Sequence, residues 1–319
     1  MHGFGSALRI AAFIIFILVL WPLYAMAAEP VPIGTWKTAQ TIQPFFYDRF
    51  LPAGMTSRVF TFTNPADQKA ALLAGSLEMC GTTLAHAIHS AVMGQPVVVV
   101  AALCNKSSAL VVAKDGPIQS ASDLKGKKIG YVPGTMHEIL LRETLTRNGI
   151  SPQRDVRLVR VDFFDMGTAL ARGSIDAFLS GEPFPALAVT QGYGRILTYP
   201  YYGDAVGTIN AGMMVRRDSI EKHPERVAAL VLAHARATRY LNAHPDEWLQ
   251  RAASFGTPVA VLAAAAANME LAWDMDERYL AQAEALGNRM QALGLIDRQP
   301  DYDKLFDLSF VRRARAHLQ

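Results

Sequence analysis

The stretch ALLAGSLE at residues 71–78 aligns without a gap with ALARGSID at residues 169–176. Each stretch predicts the end of a helix, a glycine stop and the start of a strand. At the same offset Asn64 aligns with Asp162, so a similar capping residue precedes both helices. The chain is therefore predicted to contain two related α/β lobes. The alternative is chance resemblance, because helix ends favour glycine in any fold.

Strands and helices alternate on both sides of this repeat, a pattern that gives mainly parallel sheets. The two copies begin with short strands over Ile33–Lys37 and Lys128–Val132, and residues 97–103 form a continuous apolar run typical of a buried strand. Open α/β sheets bind ligands beyond the carboxyl ends of their strands. Two such lobes facing each other predict a ligand cleft between them.

The first residues predict an export signal. Arg9 precedes an apolar run over Ile10–Leu20, and Ala25-Met26-Ala27 has the small-x-small spacing of a signal-peptidase site. We expect residues 1–27 to be the signal peptide and the mature protein to be periplasmic. The alternative is an uncleaved membrane anchor.

The charge balance argues against a nucleic-acid partner, and the cysteines and histidines do not indicate a metal site. The chain has 31 basic and 28 acidic side chains with no long run of one sign, so no nucleic-acid partner is expected. Cys80 and Cys104 would sit in an oxidising compartment, where they could form a disulfide or stay buried and inert. His86 and His89 lie three residues apart, but without a third ligand they are expected to be surface histidines. No cofactor and no metal site are predicted.

The order of elements predicts how the lobes are connected. Lobe 1 is expected to comprise residues 28–112 plus 210–319, and lobe 2 residues 113–209. Two crossings, near Val112 and near Tyr202–Thr208, would form a hinge, since two connections suit closure around a ligand. From Asp218 onwards the chain is almost wholly helical, and these helices are expected to cover lobe 1.

An ordered series of motifs resembles a known family. The series runs DLKGKKIG at 123–130, Pro133-Gly134-Thr135, the repeat at 169–177 and Glu182-Pro183-Phe184. It is similar to the periplasmic solute-binding proteins of nitrate, sulfonate and taurine ABC importers, the NMT1/THI5-like family, which also includes pyrimidine-precursor binders. The resemblance implies a periplasmic-binding-protein-like (type II) α/β fold, with two lobes joined by a two-crossing hinge.

The same resemblance implies a function and its partners. We expect a monomeric receptor, not an enzyme, that captures a small organic anion or amine-bearing solute of the sulfonate or taurine kind. It would deliver this ligand to ABC permease subunits driven by a separate ATPase, because the chain has no phosphate-loop motif. Alternatives are a pyrimidine-precursor or aromatic-carboxylate binding protein and, from another class, an exported enzyme on the same scaffold. The cysteine-rich motif of the yeast-type pyrimidine synthase is absent from the sequence.

Candidate ligand contacts lie in the loops after the strands and in the first turns of the following helices, where free N–H groups attract anions. The predicted contacts are Thr38, Gln40, Thr41, Gly81, Thr82, Thr83, Asn105, Gly134, Thr135, Met136, His137, Phe163, Glu182, Phe184 and Asn210.

Two kinds of side chain in this set have competing explanations. A carboxylate at Glu182 would select a ligand N–H, hydroxyl or cation, but it could instead sit in a first helical turn without touching a ligand. Phe163, Phe164, Phe184 and Tyr201 or Tyr202 could form a stacking wall, but aromatic side chains usually serve burial, so each alone is better explained by core or hinge packing.

Overall fold

The computed structural model of the protein describes residues 29–203 and 206–319. The predicted signal peptide, residues 1–27, lies outside the described residues. Within them the chain forms two separate sheets flanked by helices.

The strands are β1 (Val31–Trp36), β2 (Ser57–Phe62), β3 (Met79–Thr83), β4 (Val97–Lys106), β5 (Ser108–Ala113), β6 (Lys128–Tyr131), β7 (Arg157–Arg160), β8 (Ala177–Gly181), β9 (Gly194–Thr198), β10 (Ile209–Arg216) and β11 (Met269–Leu271).

The α-helices are α1 (Pro65–Leu73), α2 (Leu84–Val92), α3 (Met136–Arg147), α4 (Met166–Ala171), α5 (Phe184–Thr190), α6 (Arg217–Lys222), α7 (Pro224–Ala243), α8 (Pro245–Ala253), α9 (Val259–Ala266), α10 (Glu277–Ala292), α11 (Tyr302–Leu305) and α12 (Ser309–Leu318). Short 3-10 turns cover Ala39–Thr41, Gln43–Arg49, Ala121–Leu124 and Phe163–Asp165.

The two sheets are similar in plan. The first has the order β11-β4-β10-β3-β1-β2 and the second the order β7-β6-β8-β5-β9. In each sheet three strands are parallel, β2-β1-β3 and β7-β6-β8, and antiparallel strands complete the sheet. This arrangement confirms the predicted two-lobe α/β fold, and the apolar run in β4 is buried as expected.

The internal repeat extends to the packing of its glycines. Gly34 pairs with Cys80 across β1 and β3, and Gly130 pairs with Phe178 across β6 and β8. A Cβ atom on Gly34 would lie 2.6 Å from Leu77 Cδ1, and one on Gly130 would lie 2.8 Å from Ile175 Cδ1. The absence of a side chain at each glycine therefore leaves room for a neighbouring apolar side chain, Leu77 in the first copy of the repeat and Ile175 in the second.

The first crossing between the lobes lies earlier than the sequence predicted. β5 pairs with β8 and β9, so the chain has already entered the second sheet at Ser108, and the crossing lies at Lys106–Ser107 and not near Val112. Both crossing residues have positive φ, 58° and 76°. The apolar pattern of residues 109–113 fits a strand in either lobe, so the sequence did not distinguish them. β10 returns to the first sheet as expected.

The later helices pack on the first sheet, which confirms their predicted placement. The core of lobe 1 includes Val227 and Leu230 of α7 together with Leu286 of α10. The same cluster also includes Met136 and Ile139 of α3, which belong to lobe 2. Apolar side chains of the two lobes therefore pack against each other. No helix in the described residues has the length and apolar character needed to cross a membrane.

Candidate functional site: the cleft between the lobes

A narrow cleft, partly open to solvent, lies where the carboxyl ends of β1, β2 and β3 face those of β8 and its neighbours. Its lining combines one polar wall from lobe 1 with one mainly aromatic wall from lobe 2. The lining residues are Trp36, Lys37, Thr38, Gln40, Phe62, Thr63, Thr83, His137, Phe163, Phe164, Gly181, Glu182 and Phe184.

Threonine hydrogen bonds shape the lobe 1 wall after β1. Thr41 Oγ1 donates to the carbonyl of Trp36 at 3.0 Å and lies 3.1 Å from Thr38 Oγ1. Thr35 Oγ1 donates to the carbonyl of Thr41 at 2.6 Å. These bonds hold the turn that places Gln40 in the cleft. Thr41 itself, a predicted contact, is therefore occupied by the turn.

Two buried polar atoms of this wall have no hydrogen-bond partner within the described residues. They are the indole Nε1 of Trp36 and the side-chain Oε1 of Gln40. The Trp36 side chain is 9% exposed and that of Gln40 is 4% exposed. An unpaired buried polar group costs about 1–3 kcal/mol, so such groups in a cleft point to a partner that enters from outside. The indole group can only donate, so its partner must be an acceptor.

Phenylalanine rings form the lobe 2 wall. The rings of Phe163 and Phe184 are parallel within 7° with centroids 6.3 Å apart, and Phe164 meets Phe184 edge-on at 5.0 Å. Phe163 also contacts the ring of His137 edge-on at 5.4 Å. This wall presents an apolar, polarisable surface suited to the flat body of a ligand.

Glu182 lies in the cleft lining and also has hydrogen-bond partners within the protein. Its Oε2 accepts from the backbone N–H of Ala186 at 3.1 Å, which caps α5, and its Oε1 accepts from Asn268 Nδ2 of lobe 1 at 3.1 Å. Burial raises the pKa of this carboxyl to about 7. Glu182 therefore lines the cleft while it caps a helix and joins the lobes.

His137, which also lines the cleft, is a neutral ring. Its Nδ1 lies 3.0 Å from Ser108 Oγ, and burial lowers its pKa to about 4. Asn268 in turn bonds the hydroxyl of Tyr201 at 2.5 Å, and that hydroxyl accepts from the backbone N–H of Ser108 at 2.7 Å. Through Glu182, the cleft is thus connected to a hydrogen-bonded network that joins the two crossings.

Seven predicted contacts meet in the cleft: Thr38, Gln40, Thr83, His137, Phe163, Glu182 and Phe184. The other eight lie outside its lining: Thr41, Gly81, Thr82, Asn105, Gly134, Thr135, Met136 and Asn210.

Local packing or hydrogen bonding explains the placement of most of these eight. Thr135 caps α3, Met136 is buried in the core, and a Cβ on Gly81 would collide with Leu103. Asn105 Nδ2 donates to Glu270 at 2.9 Å and Asn210 Nδ2 to the carbonyl of Lys106 at 2.6 Å. Gly134 contacts His86 across the interface, while Thr82 is buried with an unpaired hydroxyl for which we find no role.

Six lining residues are not among the predicted contacts. Phe164 and Gly181 lie in segments that the sequence had already indicated, and four were missed altogether: Trp36, Lys37, Phe62 and Thr63. Trp36 and Phe62 are the last residues of β1 and β2, and the other two follow them directly. A search that included the final residue of each parallel strand, and the second strand as well as the first and third, would have found them.

The geometry agrees with comparisons to known proteins. A family model described as NMT1/THI5 like matches residues 50–248, more than half of the chain. The chain belongs to the NMT1/THI5-like family. This confirms the resemblance found in the sequence.

Individual relatives of this NMT1/THI5-like protein differ in function. It is 31% identical over 130 residues to the nitrate/nitrite binding protein NrtA of Nostoc sp., covering 40% of this chain and 29% of that one. It is 26% identical over 205 residues to the 4-amino-5-hydroxymethyl-2-methylpyrimidine phosphate synthase of Schizosaccharomyces pombe, covering 60% and 58%. The chain thus spans less than two thirds of either relative.

Solved structures support the fold. The alkanesulfonate-binding protein SsuA from Xanthomonas axonopodis pv. citri, bound to MOPS, superposes with a TM-score of 0.77 at 19% sequence identity. The match covers 88% of this chain and 99% of the sulfonate-binding protein. At this identity the similarity establishes the two-lobe architecture of the NMT1/THI5-like protein and not its ligand.

The two cysteines and one of the two neighbouring histidines, His86, are buried. Cys80 and Cys104 are both free thiols, and burial raises the pKa of each to about 12. His86 was expected at the surface, but it is only 8% exposed, and burial lowers its pKa to about 4. His89 is exposed as expected. No cluster of potential metal ligands occurs in the described part of the chain.

The raised pKa of Glu182 gives a pH dependence with a definite sign. Between its ordinary pKa of 4.5 and about 7, the folded protein holds a proton here that the unfolded chain has lost. This contribution to stability is present in full below pH 4.5 and is lost as the pH rises through 7. The free energy of unfolding of wild type relative to Glu182→Gln should fall by up to about 3 kcal/mol from pH 4.5 to 8.

Urea unfolding of both proteins across this pH range measures the difference. The buried histidines His86, His137 and His234 destabilise both proteins at acid pH, because the pKa of each is lowered to about 4 by burial, and their effect cancels in the comparison. A wild-type minus variant difference that does not change with pH would contradict the assigned environment of Glu182.

Proposed function

We propose that this protein is an extracytoplasmic receptor of an ABC importer that captures a small organic acid by closure of its two lobes. The observation that carries the proposal is the unpaired indole N–H of Trp36 on one wall, in a cleft whose other wall is the aromatic cluster of lobe 2. The donor needs an acceptor, such as a carboxylate or sulfonate oxygen, and the phenylalanine rings need an apolar body.

The charges of the lining favour this class over small inorganic anions. Lys37 contributes one cation at the cleft, while Glu182 is already bonded to Ala186 and Asn268. A bare anion such as nitrate would leave the rings of Phe163 and Phe184 without a partner. An aromatic or alkyl carboxylate or sulfonate satisfies both walls, and a ligand amine could use the remaining lone pairs of Glu182.

Apolar packing between the lobes supports capture by their movement. Met136 and Ile139 of lobe 2 pack in the core of lobe 1, so closing the cleft buries apolar surface as well as the ligand. A ligand favours closure only by the difference between its affinities for the open and closed forms. Contacts from both walls to one solute supply such a difference.

Partners and location belong to the same proposal. We infer export from the charged, apolar and small-residue pattern of residues 1–27, and delivery to a membrane permease with a separate ATPase from the family. The receptor acts as a monomer that presents a loaded, closed form. Catalysis is not proposed, since both cysteines lie buried outside the cleft lining.

A binding screen tests the function. Thermal unfolding in the presence of taurine, alkyl and aryl sulfonates, nitrate, aromatic carboxylates and hydroxymethylpyrimidine should show stabilisation that saturates with an organic acid and yields no product. Chemical turnover of a solute, with no solute that stabilises the protein to a saturating extent, would contradict the proposed receptor function. Stabilisation by hydroxymethylpyrimidine and not by any acid would retain the receptor but replace its ligand class.

Trp36 provides a sharper test with the ligand found in that screen. Trp36→Phe keeps an aromatic ring and removes the donor, so affinity should fall by roughly 10- to 100-fold, the value of a hydrogen bond to a charged acceptor. Trp273→Phe, outside the cleft lining, is the matched control and should bind like wild type. Calorimetric titration measures the affinity of both variants. Equal affinity of Trp36→Phe and wild type would show that the indole N–H does not bind the ligand.

A further inference from the structure

A second concavity lies beside the cleft on the surface of lobe 2. This groove, which is open to solvent, is lined by residues of α4 and α5, the turn before α4 and Tyr193. Phe164 and Phe184 line both the groove and the cleft. The groove therefore continues the cleft past an aromatic edge.

One of the two rings that line both concavities, Phe164, is exposed to solvent although it is large and apolar. The side chain of Phe164 is 48% exposed, although it meets Phe184 edge-on. A large apolar ring left in water between two concavities gains free energy if a ligand covers it. A solute that occupied only the cleft would leave the groove side of this ring in water.

The groove changes from apolar to cationic along its lining. Leu187 and the ring of Tyr193 provide apolar surface, and the absence of a side chain at Gly167 lets the hydroxyl of Tyr193 approach that helix closely. Arg172 also lines the groove, and within residues 29–203 and 206–319 no ion pair or hydrogen bond engages its guanidinium. An unpaired guanidinium is suited to a carboxylate or sulfonate.

We propose that the groove is an extension of the ligand site, which takes the distal part of an elongated organic acid. The head of the ligand lies in the cleft, its body crosses the edge formed by Phe164 and Phe184, and a distal acidic group pairs with Arg172. This inference rests on the proposed function, because it places the head group in the same cleft. It names the ligand class more narrowly: aromatic acids with a long substituent that ends in a second acid.

Three probes with one head group test the extension: benzoate, 4-butylbenzoate and 4-(4-carboxybutyl)benzoate. Calorimetric titration of wild type should show about tenfold tighter binding of 4-butylbenzoate than of benzoate, from burial of the added methylene groups. The terminal carboxylate should add a further gain of a few-fold at low salt. Arg172→Gln should abolish that second gain and leave the first unchanged.

A groove-filling variant separates the groove from the cleft. Ala171 is exposed on α4 and lines the groove, so Ala171→Trp should abolish the preference for 4-butylbenzoate while benzoate still binds. Ala70→Trp, on the exposed face of α1 in the other lobe, is the matched control and should keep the preference.

The outcomes distinguish the two proposals. Two results would contradict the groove extension and leave the proposed receptor function unaffected. One is binding of benzoate with no gain in affinity from the butyl chain, and the other is a gain in affinity that persists in Ala171→Trp. No binding of any of the three probes also overturns the groove. The proposed receptor function would be contradicted if the full ligand screen showed no stabilising solute.

Discussion

Replacement of Gly134 by alanine is expected to weaken ligand binding by roughly 10- to 100-fold, because it prevents full closure of the lobes. Gly134 lies in the loop before α3 of lobe 2, with φ of 74°. A Cβ atom there would lie 2.7 Å from Nε2 of His86, which belongs to α2 of lobe 1. The open form avoids this collision and the closed form does not.

Two further variants isolate the contact from backbone strain. Gly149→Ala places the same side chain at a similar φ of 70° in the same lobe, with nothing within 4 Å, and should bind like wild type. His86→Ala should restore affinity in the Gly134→Ala background. Calorimetric titration measures all four proteins. Equal losses for Gly134→Ala and Gly149→Ala would show that strain, and not closure, causes the effect.

Glu143→Gln is expected to lower both stability and ligand affinity. Glu143 of α3 is 4% exposed, pairs with Arg147 on its own helix and forms an ion pair with Arg289 of α10 in lobe 1. Loss of one partner from a buried ion pair costs up to about 3–5 kcal/mol, because the other partner, here Arg289, keeps a charge that has lost its counter-charge. The part of this energy that belongs to the contact between lobes is lost from the closed form alone.

Urea unfolding and ligand titration separate the two contributions. Asp218→Asn removes one partner of the Arg216–Asp218 pair within lobe 1 and serves as the control, with unchanged ligand affinity. A cycle of Glu143→Gln, Arg289→Gln and the double variant should give a coupling of roughly 1–3 kcal/mol in binding. Lower stability of Glu143→Gln with unchanged affinity would confine Glu143 to a role inside lobe 2.

Much of the fold could be predicted from local patterns. The glycine stops at Gly75 and Gly173 have φ of 79° and 67°, and Asn64 caps α1 through a 2.8 Å bond from the N–H of Ala66, as its sequence position indicated. The repeat therefore predicted two similar lobes. By contrast β5 pairs within lobe 2, because strand pairing depends on partners distant in sequence that a local apolar run does not specify.

The candidate site was only partly predictable for a related reason. Strand ends indicated which loops face the cleft, but not which side chain of each loop points into it. Thr135 turned inward to cap α3, whereas Trp36, still within β1, faces the cleft. The bond between Glu182 and Asn268 joins residues 86 positions apart in two lobes, and no spacing in the sequence indicates it.

Capture by closure is tested by the distance between the two lobes, measured with and without ligand. Asp67 and Asp165 occupy equivalent exposed positions in the two copies of the repeat, one in each lobe. Spin labels on cysteines introduced there can be attached selectively, since both native cysteines are buried. We expect a broad distance distribution without ligand, with a shorter mean distance and a narrower width at saturation with a stabilising organic acid. An unchanged distribution at saturation would contradict capture by closure.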